Sequence, residues 1–450
     1  MNSLIIKSIY IDKLQKIEES INITPYNIMG KVTRVIGMTI EATGLSVQVG
    51  AQCKIQNESR QRYIDAEVIG FNEKKVLLMP LQTLDGVKPG SNVILKSSDS
   101  NCGVGNDLLG RVVDGLGKPI DSDKSITFDD FRPIDGSEIN PLDRGEISEI
   151  LDTGIKSINS ALTFGKGQRM GLIAGSGVGK SVLMGMLTRF TEADIVVIGL
   201  IGERGREVKE FIKQTLGEEG LKKSVIVAAP VDVSPVMRVR AAKYTHAIAE
   251  YFSEQGKNVL LLFDSLTRVA HAQREIGLAA GEPPTTKGYT PSVFSLLPKL
   301  IERAGVGKNN IGSISAFYTV LAESDDKNDP IVDLSRATLD GQIMLSRSLA
   351  DSAFYPAIDL EGSISRLSSK LQSSKEFSLS QMIRKYWTLY KQKEDLIQVG
   401  AYTSGSDANL DHAIAMKKDL DTYLRQNQNE RYSYQESINQ LNQILNRYAT

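Results

Sequence analysis

Residues 171–181 read Gly171-Leu-Ile-Ala-Gly-Ser-Gly-Val-Gly-Lys-Ser181. An apolar run at 169–174 passes straight into alternating glycines, then Lys-Ser, then the helix-compatible Val182-Leu-Met-Gly-Met-Leu. Glycines in that arrangement let consecutive backbone N–H groups turn inward and approach phosphate oxygens. The helix that follows presents its positive end to the same charge. On this reading Gly175, Ser176, Gly177, Val178 and Gly179 form the cradle and Lys180 reaches the β- and γ-phosphates. Ser181 then lends its hydroxyl to Mg²⁺. The string departs from GxxxxGK[ST] at one place, because Ala174 stands where the first glycine is usual.

Outward from this loop the chain alternates strand and helix. Continuous apolar runs at 169–174, 194–202, 224–230, 258–264 and 312–321 are separated by segments long enough for a helix. That pattern predicts a largely parallel sheet covered on both faces, an α/β fold. The run Asn258-Val-Leu-Leu-Leu-Phe-Asp264 ends in a carboxylate. At the tip of a strand neighbouring the loop, Asp264 is the expected second Mg²⁺ ligand with Ser181, direct or through water. The run 194–202 leads into Glu203-Arg-Gly-Arg-Glu207. Glu203, the first acid past that strand, is the candidate for orienting a water beside the γ-phosphate. Arg206 and Glu207 read equally well as a solvated turn.

The flanks have other textures. Over 26–97, short valine-rich pieces are broken by Gly or Asn every 8 to 12 residues, the rhythm of a small all-β barrel or sandwich. The stretch 110–121 is turn-rich and is expected to cross into the next domain. From Glu376 onward Leu379, Met382, Ile383, Trp387, Leu389 and Tyr390 follow a 3.6 period, and the tail from Asn427 keeps Ile438, Leu441, Ile444 and Leu445, so both are expected to be helix. Ile6, Tyr10, Leu14, Ile17 and Ile21 mark an amphipathic N-terminal helix ended by Pro25. It either packs on its own body or docks a partner. The expected divisions are a helix at 1–24, a β-barrel domain at 25–97, the α/β domain at 98–372 and a helical domain at 373–450.

Composition sets the limits. A chain of 450 residues suits two or three domains at about 150 residues each. Lys+Arg 53 against Asp+Glu 54 gives a net charge of −1, which excludes binding nucleic acid or anionic lipid by bulk charge, though not a local basic patch. The longest apolar runs, 195–201 and 259–263, are about a strand long, whereas a membrane span needs about 20 such residues. Membrane contact is therefore expected to be peripheral or through a partner. Cys53 and Cys102 lack metal-ligand spacing and read as reduced thiols of a cytosolic protein. The N-terminus has no secretory pattern. His246, His271 and His412 show no mutual metal spacing, and Trp387 reads as a packing residue.

Further strings stand in one order: Leu200-Ile-Gly-Glu-Arg-Gly-Arg-Glu, Asp264-Ser-Leu-Thr-Arg-Val-Ala, Ala272-Gln-Arg-Glu-Ile, Gly281-Glu-Pro-Pro-Thr-Thr-Lys-Gly-Tyr289 and Tyr355-Pro-Ala-Ile-Asp-Leu. With 174–181 they resemble the export ATPases of flagellar and type III secretion systems, relatives of the rotary ATP synthase catalytic subunit. The resemblance runs from about residue 25 to the C-terminus. The stretch 400–407, Gly-Ala-Tyr-Thr-Ser-Gly-Ser-Asp, looks more like the flagellar branch.

This resemblance implies an N-terminal β-barrel, a central RecA-like P-loop NTPase domain and a C-terminal helical domain, with ATP and Mg²⁺ as ligands. It implies Glu203 as the catalytic glutamate, Arg204 as a phosphate-region arginine and Tyr355 as the aromatic that stacks on adenine. Arg366 matches the arginine finger offered to a neighbour's nucleotide. The residues alone do not choose it over Arg336 or Arg347. Also implied are a homo-hexamer at the inner face of the membrane, and a regulatory, stator-like protein at the N-terminal helix. Stalk and export-gate proteins and chaperone–substrate complexes complete the expected partners. Three other outputs share this core: a virulence secretion ATPase, a rotary synthase catalytic subunit and a hexameric nucleic-acid translocase. Near-zero net charge, and only Tyr26, Tyr63 and Phe71 as aromatics over 26–97, speak against the translocase.

Overall fold

The computed structural model describes residues 29–57, 62–137, 139–321 and 329–448. The amphipathic helix expected at 1–24 lies outside the described residues.

Six strands form the first unit: β1 (Met29–Ile36), β2 (Thr39–Thr43), β3 (Gln52–Asn57), β4 (Arg62–Asn72), β5 (Lys75–Pro80) and β6 (Asn92–Ser97). They close antiparallel in the order β1-β2-β5-β4-β3-β6, so the unit is a barrel and not a sandwich. Along β4, Ile64, Ala66 and Val68 point inward and their neighbours outward, the period of two that a one-sided core demands. Cys53 lies in that core with Ile55, Leu78 and Val93, and burial pushes its thiol up to about 11. Closure leaves the barrel no free edge.

The sequel is built on strands β7 (Asn101–Val104), β8 (Val112–Val113), β9 (Asp130–Pro133), β10 (Arg169–Ala174), β11 (Ile195–Ile201), β12 (Ser224–Ala229), β13 (Asn258–Asp264), β14 (Gly305–Val306), β15 (Ser313–Leu321), β16 (Gly341–Leu345) and β17 (Ile358–Ser365). β7 and β9 pair apart, and the main sheet runs β17-β16-β10-β15-β13-β11-β12-β8, with β14 on β15. From β16 to β8 the pairings along this order are parallel; β17 is antiparallel at one edge. Each of the five expected strands forms within a residue of its expected ends. Part of the turn-rich stretch joins this sheet as its far edge, β8. The strand carrying Asp264 is not adjacent to the phosphate-loop strand, because β15 lies between β10 and β13. Crossovers that skip a strand leave no mark on the apolar runs, so strand order was not legible in them.

Both faces of the sheet are buried, which is why these strands read as unbroken apolar runs. Val196, Ile198 and Leu200 of β11 pack on one face with Leu187, Trp387 and Leu441. Val197 and Ile201 pack on the other with Ile248, Val269 and Leu297. The C-terminal helices Ser374–Gln398 and Tyr434–Arg447 each open with a capping box, Ser373 with Glu376 and Ser433 with Glu436. Between them lies helix Ala408–Leu424. The tail helix begins at Tyr434, seven residues after the expected Asn427. The Asn427 side chain accepts from Asn429 N–H, and the Glu430 carboxylate accepts from Asn427 N–H, local bonds that compete with helix. Trp387 is 1% exposed and its ring centroid lies 5.5 Å from that of Phe354. His246 is enclosed between the Ala242 carbonyl and the Tyr318 hydroxyl, and burial pushes its ring down to about 3. No helix among the described residues is long and apolar enough to cross a membrane.

Candidate active site

Strand β10 delivers the loop Gly175–Gly179 to the carboxyl edge of the sheet, where helix Lys180–Phe190 begins. Gly177 (φ 79°) and Gly179 (φ 91°) are both left-handed, a backbone that a side chain at either place would strain. Lys180 and Ser181 open the helix. Strand β16 runs parallel beside β10, with Ile173 opposite Met344, and carries Arg347 to the loop. The Arg347 Nη2 donates to the Ser176 carbonyl at 3.1 Å.

Three acidic and basic groups from three strands converge next to this loop. The Lys180 ammonium donates to both oxygens of Asp264 at 2.6 Å and lies 3.6 Å from Glu203 Oε1. Thr319, buried on the intervening β15, donates its hydroxyl to Asp264 Oδ1 at 2.6 Å. Burial opposes the Lys180 charge, yet Asp264 and Glu203 outweigh it and hold its pKa above the ordinary value. For Glu203 the balance is reversed. Burial, then the Asp264 charge, push its carboxyl up to about 7 against the pull of Lys180. Glu203 Oε1 is buried without a hydrogen-bond partner, an acceptor positioned for a water or hydroxyl that the chain itself does not supply. The turn before it requires Gly202 (φ 74°), where an added Cβ would meet Arg268 Cβ at 2.7 Å.

A cavity of about 360 Å³ opens beside the loop, lined by Val182, Met186, Leu345, Tyr355, Pro356 and Gln426 among others. Its size and apolar walls suit a purine ring. Tyr355 is 44% exposed, and its ring comes within 3.3 Å of where a Cβ on Gly179 would stand. Gln426 braces the far wall. Its backbone N–H donates to the Tyr355 carbonyl, and its side chain accepts from Lys156 N–H and donates to the Gly154 carbonyl.

Two expected residues stand outside this cluster. The Arg204 side chain is 70% exposed and reaches Glu207 at 3.4 Å. Arg366 follows β17, where its backbone N–H donates to the Asp340 carbonyl and its Nη2 to the Arg336 carbonyl at 2.9 Å. Register fixes what this means. Ser365 pairs with Gly341, at the start of β16, and Gln342 pairs with Gly171. Arg366 therefore lies level with Arg169 at the amino end of β10, about 20 Å of strand from Gly175 at the other end. Of the three arginines that sequence alone left equivalent, only Arg347 touches the loop of its own chain.

Sequence reading gave no role to Thr319, Arg268, Arg347 or Gln426. Thr319 shares its strand with the hydroxyls of Ser313, Ser315 and Tyr318, so nothing marked it out; Arg268 stands four residues past Asp264 and left a trace. Gln426 left none, since it reaches the cavity through a chain reversal that returns the C-terminal helices to it.

Residues 32–95 match the ATP synthase alpha/beta family, beta-barrel domain; residues 154–365 match that family's nucleotide-binding domain. Residues 372–443 match the T3SS EscN ATPase C-terminal domain. The chain is 53% identical to the flagellum-specific ATP synthase of Pseudomonas aeruginosa over 420 residues, 93% of each chain. It is 48% identical to the Salmonella typhimurium protein of that name, covering 92% of this chain and 93% of that one. Among solved structures, the assembled ATPase EscN of the enteropathogenic E. coli type III secretion system superposes with a TM-score of 0.87. It is 41% identical and is covered in full by 92% of this chain. EscN in complex with its central stalk EscO matches with a TM-score of 0.85 at 40% identity. Barrel, nucleotide-binding sheet and C-terminal helices thus each match in order, and the chain belongs to the ATP synthase alpha/beta family, among its flagellum-specific and type III secretion ATPases.

Proposed function

We propose that this chain hydrolyses ATP with Mg²⁺ to energise protein export through a flagellar type III apparatus. The observation that carries the reading is the convergence of Lys180, Asp264 and Glu203 at the carboxyl ends of β10, β13 and β11. On binding, the loop N–H groups and the Lys180 ammonium take the phosphates, and Lys180 gives up Asp264 to do so. Asp264 and the Ser181 hydroxyl are then free to hold a divalent ion; an all-oxygen donor set of this kind fits Mg²⁺. A divalent ion held by Asp264 and Ser181 would supply positive charge against the phosphates. Glu203 orients the attacking water through Oε1, which holds no hydrogen bond within the chain, and draws on its proton. Tyr355 covers the adenine. Arg204 serves the phosphate region once the neighbouring subunit closes the site.

Arg366 acts in trans. Its place at the opposite end of the sheet supports this, since it faces away from its own loop and needs a second subunit's nucleotide to act upon. An arginine supplied this way is worth roughly 10³–10⁵ in rate, so hydrolysis depends on a ring, which we take as a homo-hexamer by analogy with assembled EscN. The divisions at 24/25, 97/98 and 372/373 separate its working parts. Residues 1–24 dock a regulatory, stator-like partner, and the helical domain faces the stalk, the export gate and chaperone–substrate complexes. The ring works in the cytoplasm, peripheral at the inner face of the membrane, and without nucleic acid.

Complementation tests the output. The parent chain, and not Lys180→Ala, is expected to restore motility to a strain lacking the flagellar export ATPase. Rescue only of a strain lacking a virulence secretion ATPase would overturn the flagellar assignment.

A further inference from the structure

We propose that Arg347 is a positioning residue for nucleotide binding: it holds the phosphate loop of its own subunit in the binding conformation through the Ser176 carbonyl. The proposal rests on the loop being the phosphate site, as read above. A loop that turns its N–H groups inward must turn carbonyls outward, and an outward carbonyl beside a glycine-rich turn is a natural handle. Ordering such a loop is entropically unfavourable because glycine has the most conformational freedom to lose. A donor held just past the end of a neighbouring strand reduces that penalty before the nucleotide arrives.

Arg347 is such a donor. Its Nη2 reaches the Ser176 carbonyl at 3.1 Å and lies 3.9 Å from where a Cβ on Gly175 would stand. Its backbone is itself held. Ser346 N–H donates to the Ala357 carbonyl at 2.9 Å, and the Ser346 hydroxyl caps the turn by accepting from Leu349 N–H. The same connection between β16 and β17 carries Tyr355, so one short segment seats both the loop and the wall of the base pocket. Among the described residues no carboxylate forms an ion pair with Arg347. Its charge is exposed to solvent and stands behind the loop read as the triphosphate site. The contact is made with the loop and present before the chemical step, so it stabilises ground state and transition state alike.

The test uses the full chain with ATP titrations and steady-state kinetics for Arg347→Ala and Arg347→Lys. One charge-assisted bond at an exposed site sets the expected size. Arg347→Ala should raise the Kd and KM for ATP about five- to tenfold while kcat falls less than about threefold. Arg347→Lys, which keeps the charge but not the fork, should lie between. Millimolar guanidinium ion should lower the KM of Arg347→Ala and leave the parent unchanged. Melting without nucleotide should match the parent. An unchanged Kd, a fall in kcat at constant KM, or a KM shift that guanidinium does not relieve would each overturn the proposal. Lys180→Ala, run in parallel, separates the two layers. If it binds ATP like the parent, the phosphate-site reading itself fails; if it loses binding while Arg347→Ala does not, only the role of Arg347 fails.

Discussion

Glu203 is held in the fold at a thermodynamic disadvantage, and removing its charge should show it. Its carboxyl rises from an ordinary 4.5 to about 7, because burial and Asp264 together outweigh Lys180. Below pH 4.5 the folded and unfolded chains both carry the proton, and Glu203 makes no difference to stability. As pH climbs toward 7 the unfolded chain releases the proton while the folded chain retains it, so the folded state loses ground. Above 7 the loss is complete and amounts to about 3 kcal/mol. Glu203→Gln keeps the shape and cannot ionise. Melting of parent and variant, without nucleotide or divalent ion, should therefore diverge as pH rises from 5 to 8. The variant should gain about 5–10 °C relative to the parent for a domain of some 200 residues. Over the same range it should bind ATP and not turn it over. A melting difference that stays flat across this range would refute the account of Glu203 as a buried, destabilised acid. So would a variant that loses stability as pH rises.

Other perturbations give separate readouts. Gly179→Ala places a methyl at φ 91° and 3.3 Å from the Tyr355 ring; strain of about 1–2 kcal/mol should weaken ATP binding in titration about tenfold, and unchanged affinity would remove the loop from the site. Tyr355→Ala should lose about 1–3 kcal/mol of base stacking, seen as weaker ATP binding by calorimetry. Tyr355→Phe should match the parent, because among the described residues the hydroxyl reaches only the Ala350 carbonyl, at 3.3 Å. Trp387→Ala should destabilise by about 3–5 kcal/mol in denaturant titration followed by circular dichroism, and a loss under 1 kcal/mol would contradict its place in the core.

Much of this molecule is legible in its sequence where one residue type can satisfy one physical demand. The phosphate loop is such a place: left-handed backbone calls for glycine, and Gly177 and Gly179 answer it. The five buried strands are another, since two buried faces demand unbroken apolar runs. What depends on pairing order is not written this way. Nothing in 258–264 says that β15 separates it from β10, and so Thr319, which donates to Asp264 from that strand, could not be found. Nor could Arg347 and Arg366 be told apart, since only the register of β16 and β17 sends one to the loop and the other to the far end. The tail shows the competition of local bonds with periodicity. Asn427 and Glu430 hold a turn, and helix waits for the capping box at Ser433. Glu203 is legible as the first acid past its strand, whereas its raised pKa requires Asp264 and the burial that the fold provides.

The central claim is a site shared between subunits, and mixing two inactive variants tests it most directly. Lys180→Ala subunits lack a competent loop but keep Arg366; Arg366→Ala subunits keep the loop but lack the finger. Each alone should be nearly inactive. In equal mixture, up to about a quarter of the head-to-tail interfaces would join an intact loop to an intact Arg366, and hydrolysis should return toward that fraction of the parent rate. A mixture no more active than its components, under conditions where mixed rings form, would contradict the shared site.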